Sequence, residues 1–246
     1  MPFVTVWIVR HGETPENAAG IIQGQRDTIL NDNGRAQSRA AADALRLITF
    51  NRAFTSTLQR ASETAEILLE HRRDVPLFDD PLLKERFMGS REGQRPSKKS
   101  DQDKTQKRPV WDGEPGPAFV ARCLSWWDQA IIPHSKYATN PAIPRKSNIH
   151  ILAVTHGAVI QRLLFGLTTA RNYRGKELLG PPCYNTSITV IRVDAGGGSG
   201  EIICVANIEH LKQPGSADNP DLREGEDAAE KDVEVDVPND AMQGAR

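Results

Sequence analysis

Twice along this chain a short apolar run stops at a histidine followed by a glycine. The first run is Phe3 to Val9, which leads into Arg10-His11-Gly12-Glu13-Thr14. The second is residues 149–154, IHILAV, which leads into Thr155-His156-Gly157 and then an apolar stretch, AVIQRLLFGL. Continuous apolar runs of this length, rich in β-branched residues and ended by a polar glycine-containing turn, are what strands buried on both faces look like. Such strands occur in parallel sheets covered by helices, and those sheets carry their functional loops at the strands' carboxyl ends.

The intervening sequence supplies the helices. Residues 32–48 hold good helix formers with Ala and Leu at helical spacing. Residues 52–56 (RAFTS) read as a short strand and 57–71 as a helix with Leu58, Ala61, Ala65 and Leu68 on one face. Ser56 and Thr57 are candidates to cap it. Residues 118–132 predict a third helix, with Trp126 and Trp127 expected in the core and an interface as the alternative. Residues 186–193 and 201–206 predict strands joined by GGGSG, a late pair expected to add antiparallel edges. Strands alternating with helices predict an α/β fold, a three-layer α/β/α sandwich with a mostly parallel central sheet.

Two segments break the pattern. Residues 91–117 are rich in Lys, Arg, Pro and Gly without periodicity, and read as a long basic surface loop or lid. Residues 213–246 are acidic with little that could form a core, and read as a disordered tail open to a protein partner. The expected domain is therefore 1–212. A chain of 246 residues suits one domain of this kind. Its formal net charge of −1 gives no general pull towards nucleic acid or an anionic membrane. Cys123, Cys183 and Cys204 are widely spaced and odd in number, so neither a disulfide framework nor a zinc motif is expected. The first apolar run lacks a basic flank and a cleavage site and is too short to span a bilayer. A soluble cytoplasmic protein is expected, with the nucleus also open to it.

The residue types at the two strand ends point to phosphate chemistry. Neutral imidazole is a nucleophile towards phosphorus. Arg10 beside His11 offers an always-charged fork that matches phosphate oxygens. His156 precedes a helix whose amino terminus suits an anion. A bare RHG tripeptide reads equally as a surface turn, but two strand–His–Gly elements suggest two imidazoles converging on one anion. A metal site is the rival, disfavoured because no carboxylate or third histidine lies at ligand spacing from either. Arg60 sits in the first turns of the 57–71 helix, where it is either a solvated arginine or a further phosphate contact. Glu85, in LLKERFMGSREG, is a carboxylic acid in a partly apolar stretch, suited to general acid work if burial raises its pKa. Glu92 competes with it for that role.

Taken in order, VRHGET, TLQRASETA, LKERFMGSREG and VTHG resemble the histidine phosphatase superfamily, the phosphoglycerate mutase-like branch, from about Val4 to Leu211. LLKERFMGSREG, YNTSITVIRVD and CVANIEHL lean within it towards TIGAR-type fructose-2,6-bisphosphatases. The resemblance implies that His11 is phosphorylated, that Arg10 and Arg60 grip the phosphoryl group, that His156 stabilises its charge, and that Glu85 protonates the leaving oxygen. It also assigns Asn17 to phosphate binding, and Gln23, Gly24 and Gly157 to the substrate. No metal or cofactor is expected. The expected activity is hydrolysis of a small phosphorylated metabolite of the sugar phosphate or bisphosphate class. The alternatives are a phosphoglycerate mutase, a protein phosphatase, or a non-catalytic module in a larger complex such as a transcription factor assembly.

Overall fold

A computed structural model describes residues 3–96, 110–137, 148–175 and 183–212. The core of the basic segment, 97–109, and the acidic tail, 213–246, fall outside them.

Seven strands form one sheet in the order β3-β2-β4-β1-β6-β7-β5. They are β1 (Val4–Arg10), β2 (Arg52–Ser56), β3 (Leu77–Asp80), β4 (Ile149–Thr155), β5 (Asn172–Arg174), β6 (Ile188–Val193) and β7 (Ser199–Asn207). β1 lies mid-sheet, parallel to β4 and antiparallel to β6. β2 continues the parallel half on the far side of β4, and β3 closes that edge. The late strand pair is thus not an edge: β6 joins β1 directly, and short β5 takes the outer place beside β7.

The alternating side chains of β1 explain the layering. Val4, Val6 and Ile8 face one layer, with α4 (Gly116–Trp126) and α6 (Gly157–Ala170). Val9, with Trp7 partly buried beside it, faces α2 (Asp32–Ala44) and α3 (Gln59–Leu68). Each such side chain buried on both strands and helices is worth about 1.5–3 kcal/mol relative to exposure. A short α1 (Pro15–Ala18) follows β1, and α5 (Ile132–Tyr137) follows α4. The predicted helix 118–132 exists but is not uniform. A π turn, Trp127–Ile131, interrupts it. The wider turn lets two consecutive tryptophans both reach the core, Trp126 edge-on to Phe54 and Trp127 edge-on to Tyr173.

One smaller expectation also changes. Ser56 and Thr57 do not cap α3: Leu58 holds the N-cap position, without a side-chain cap. In the described parts of the basic segment, 91–96 and 110–117, no residue is fully buried, and some side chains are tied to their neighbours. The guanidinium groups of Arg86 and Arg91 both lie over the Trp111 ring, at 4.9 and 5.0 Å from its centroid. Glu114 makes a paired salt bridge to Arg122 of α4.

Candidate active site

The register of the sheet builds the site. Arg10 pairs with Thr155, and Thr55 of β2 pairs with Val154, so β2, β4 and β1 end side by side. The next residue along each central strand is a histidine. The His11 N–H donates to the Thr155 carbonyl at 2.9 Å, which fixes the two turns together. The rings of His11 and His156 end 5.1 Å apart between centroids, both buried.

The His11 ring has a definite tautomer. Its Nδ1 lies 2.7 Å from the Gly12 carbonyl, which can only accept, so Nδ1 carries the proton. Nε2 then holds the lone pair, and Arg60 Nε donates towards it at 3.3 Å. Burial first, then the charges of Arg60 and Arg10, hold the His11 pKa well below the usual histidine value. The imidazole is therefore neutral at physiological pH. Gly12 lies tight against α2: a Cβ there would lie 2.5 Å from the Gly34 carbonyl.

Arg60 is buried to 1 % exposure, so the solvated reading of its helix position is excluded. It donates to the carbonyls of Gly24 and Arg26, each at 2.8 Å, and to Thr28 Oγ1 at 3.3 Å. Burial pulls its pKa down to about 10, with Glu85 opposing, and it stays charged. The loop it grips bears Gly24 in a left-handed conformation, φ +53°, where a side chain would collide with Glu92. Arg10 reaches across to donate to the Cys183 carbonyl. Gly157 opens α6 next to it, a Cβ there meeting Arg10 Nε at 3.6 Å.

Asn17 and Gln23 share one feature. The Asn17 carbonyl oxygen accepts from the Thr14 N–H, the Thr14 hydroxyl and Asn185 Nδ2. The Gln23 carbonyl oxygen accepts from the Thr28 hydroxyl at 2.5 Å. In both, the oxygen end is occupied and the NH2 end is left to donate elsewhere. Asn185, fully buried, also donates to the His11 carbonyl at 3.0 Å. It lies within YNTSITVIRVD, where nothing in its local spacing shows that it returns to β1.

The two glutamates separate cleanly. Glu92 Oε1 accepts the main-chain N–H groups of Gln25 and Met88, stapling the Arg60 loop to the segment bearing Glu85. Glu85 Oε2 accepts from the Ala158 N–H at the start of α6, at 3.2 Å, and Oε1 from its own neighbour Arg86. Burial pushes the Glu85 carboxyl up, against the pull of those N–H bonds and of Arg60 and Arg10. Among the described residues no group of three His, Cys, Asp or Glu could hold a metal ion. No helix among them is long and apolar enough to cross a membrane.

A model of the histidine phosphatase superfamily, branch 1, matches residues 6–204. The broad-specificity phosphatase YOR283W of Saccharomyces cerevisiae is 27% identical over 214 residues, 85% of this chain and 87% of its own. Fructose-2,6-bisphosphatase TIGAR B of Danio rerio is 47% identical, but over 90 residues, 35% of either chain. Among solved structures, Bacillus stearothermophilus YhfR superposes with a TM-score of 0.66 at 28% identity, over 84% of this chain and 98% of that one.

Proposed function

Because the chain belongs to the histidine phosphatase superfamily (branch 1), we propose that it hydrolyses phosphate monoesters through a phosphohistidine formed on Nε2 of His11. The family supplies the coarse activity, phosphoryl transfer at a phosphoric monoester. The observation that carries the finer reading is the His11 ring itself. It is neutral, its Nδ1 proton is engaged by Gly12, and its Nε2 lone pair stands beside Arg60 and His156.

In the first step the Nε2 lone pair forms the N–P bond as the P–O ester bond breaks. Glu85, whose carboxyl pKa is pushed up by burial, gives its proton to the leaving oxygen. In the second step water attacks phosphorus and gives a proton to the Glu85 carboxylate. The N–P bond breaks, its pair returns to Nε2, and orthophosphate leaves. The transition states are loose, so the work is positioning and charge stabilisation. Arg10, Arg60, the NH2 groups of Asn17 and Gln23, and the start of α6 at Gly157 supply positive charge and donors of the kind a metal ion otherwise provides.

The substrate we propose is a small sugar phosphate or bisphosphate of the cytoplasm. The 90-residue likeness to a fructose-2,6-bisphosphatase supports that class, and the longer likeness to a broad-specificity phosphatase supports tolerance within it. The test is turnover of para-nitrophenyl phosphate in EDTA, beside His11→Ala, followed by a panel of sugar phosphates and phosphoglycerates. Expected are EDTA-resistant turnover, its loss in the variant, and acid-labile phosphate on the protein that decays quickly in water. A phosphorylated His11 that persists in water and is discharged only by phosphoglycerate would replace this reading with a mutase.

A further inference from the structure

Ser56 ends β2, fully buried, and the mechanism above makes no use of it. Its hydroxyl oxygen lies 2.8 Å from Nε2 of His156 and accepts the Leu58 N–H at 3.3 Å. Among the described residues it makes no other side-chain hydrogen bond. A hydroxyl has one proton to give. The Leu58 N–H is a donor and cannot take it, so the one acceptor within reach is the histidine nitrogen. His156, for its part, is fully buried and its Nδ1 has no partner among the described residues.

The sheet order says where that second nitrogen looks. β4 lies between β2, which bears Ser56, and β1, which leads to His11. The two nitrogens of an imidazole diverge across the ring. With Nε2 turned to β2, Nδ1 turns towards β1, where the His11 ring stands 5.1 Å away.

We propose that Ser56 is a positioning residue: by donating its hydroxyl proton to Nε2 it holds neutral His156 in the tautomer whose Nδ1–H is presented to the transferring phosphoryl group. The role rests on the phosphohistidine reading above. The other tautomer would direct a lone pair at an anion, in a place where no water compensates the repulsion. The two imidazoles thus share one tautomer for opposite ends. In His11 a carbonyl takes the Nδ1 proton and frees Nε2 to attack; in His156 a hydroxyl fills Nε2 and frees Nδ1–H to donate. Neither ring needs to be an imidazolium, which burial, and then the adjacent Arg60 and Arg10, would oppose.

The test reads the ring nitrogens directly, by long-range 1H–15N correlation on the full-length protein labelled at histidine, with His156→Gln locating the His156 signals. In the wild type at neutral pH, Nδ1 of His156 is expected to be pyrrole-like and Nε2 pyridine-like. In Ser56→Ala the two signals should move towards an average, and kcat/KM should fall about tenfold, the scale of one neutral hydrogen bond. Ser56→Thr, which keeps the hydroxyl, should restore the wild-type pattern. A wild-type Nε2 that is already pyrrole-like, or a pattern unchanged in Ser56→Ala, overturns the proposal. These signals decide the tautomer whether or not the protein turns over an ester, so a failed phosphatase assay and a failed role for Ser56 remain distinct results.

Discussion

The rings of His11 and His156 stand 5.1 Å apart at 59° to each other, each delivered by the end of a separate buried strand. At that separation both rings can reach one tetrahedral anion set beside them. It also ties their proton chemistry together, since a charge on His11 disfavours protonation of His156.

Turnover should depend on pH through two groups moved in opposite directions. His11 must be unprotonated and its pKa is lowered; Glu85 must be protonated and its pKa is raised. The profile of kcat/KM should therefore open below the usual histidine range and close on the alkaline side as Glu85 ionises. Glu85→Gln should lose about a hundredfold or more in kcat on alkyl phosphates. It should lose less on para-nitrophenyl phosphate, whose leaving group needs little protonation. The alkaline limb should vanish with it, and its persistence in the variant would exclude Glu85 as the acid.

Arg60→Lys keeps the charge but not the fork. A single ammonium cannot face His11 while also holding the carbonyls of Gly24 and Arg26. A loss of about a hundredfold in kcat/KM is expected, with a higher KM as the loop from 23 to 28 loosens. Steady-state kinetics within threefold of wild type would contradict this.

Much of the site is legible in sequence because strand ends announce themselves. An apolar run that stops at Arg-His-Gly says where a side chain will emerge, and a second run ending the same way says that two imidazoles can meet. Helix α3 is legible for a similar reason: Leu58, Ala61, Ala65 and Leu68 mark its buried face, and all four are buried. What stays hidden is the partner of each polar group. Nothing near Ser56 indicates that it serves His156 rather than the helix after it, and Asn185 reaches His11 only through the pairing of β6 with β1. Strands β3 and β5 escape notice because they are short edge strands, too brief for a periodic pattern to register. The role of Glu92 is equally silent, since accepting two main-chain N–H groups leaves no trace in residue spacing.

Arg122 lies far from either histidine in sequence, yet it anchors the segment that bears Glu85. It donates to the carbonyls of Leu82, Lys84 and Glu85 while paired to Glu114. Arg122→Ala should leave those carbonyls and a half-buried carboxylate short of donors. It should cost about 2 kcal/mol in urea unfolding, with a fall in kcat as Glu85 loses its support. Unfolding free energy unchanged within a few tenths of a kcal/mol would contradict it.

Stability should fall on mild acidification. His210 packs against the Thr186 hydroxyl, and burial lowers its pKa from 6.5 to about 4. A histidine depressed in the fold contributes stability that is present above the unfolded pKa and lost as pH drops towards the folded one. Between pH 7 and 5 the unfolded chain takes up a proton that the folded site refuses, worth about 2 kcal/mol. His210→Gln should narrow the gap to wild type by about that much over the interval, read from urea curves at each pH. A constant gap would show that His210 titrates normally in the folded protein.

The register of β1 against β4, Arg10 opposite Thr155, also bears on how the chain comes to be active. Helices α2 and α3 and the strand between them are neighbours in sequence and can assemble early, whereas the two imidazoles meet only when strands from opposite halves of the chain dock. A slip of one residue would turn the whole of β4 over and remove the pocket. Recovery of turnover during refolding therefore clocks the last closure of the sheet, separately from the return of helix. An oxyanion such as vanadate, recognised by that closed state alone, should act as a molecular latch on it, raising the midpoint of unfolding with its concentration.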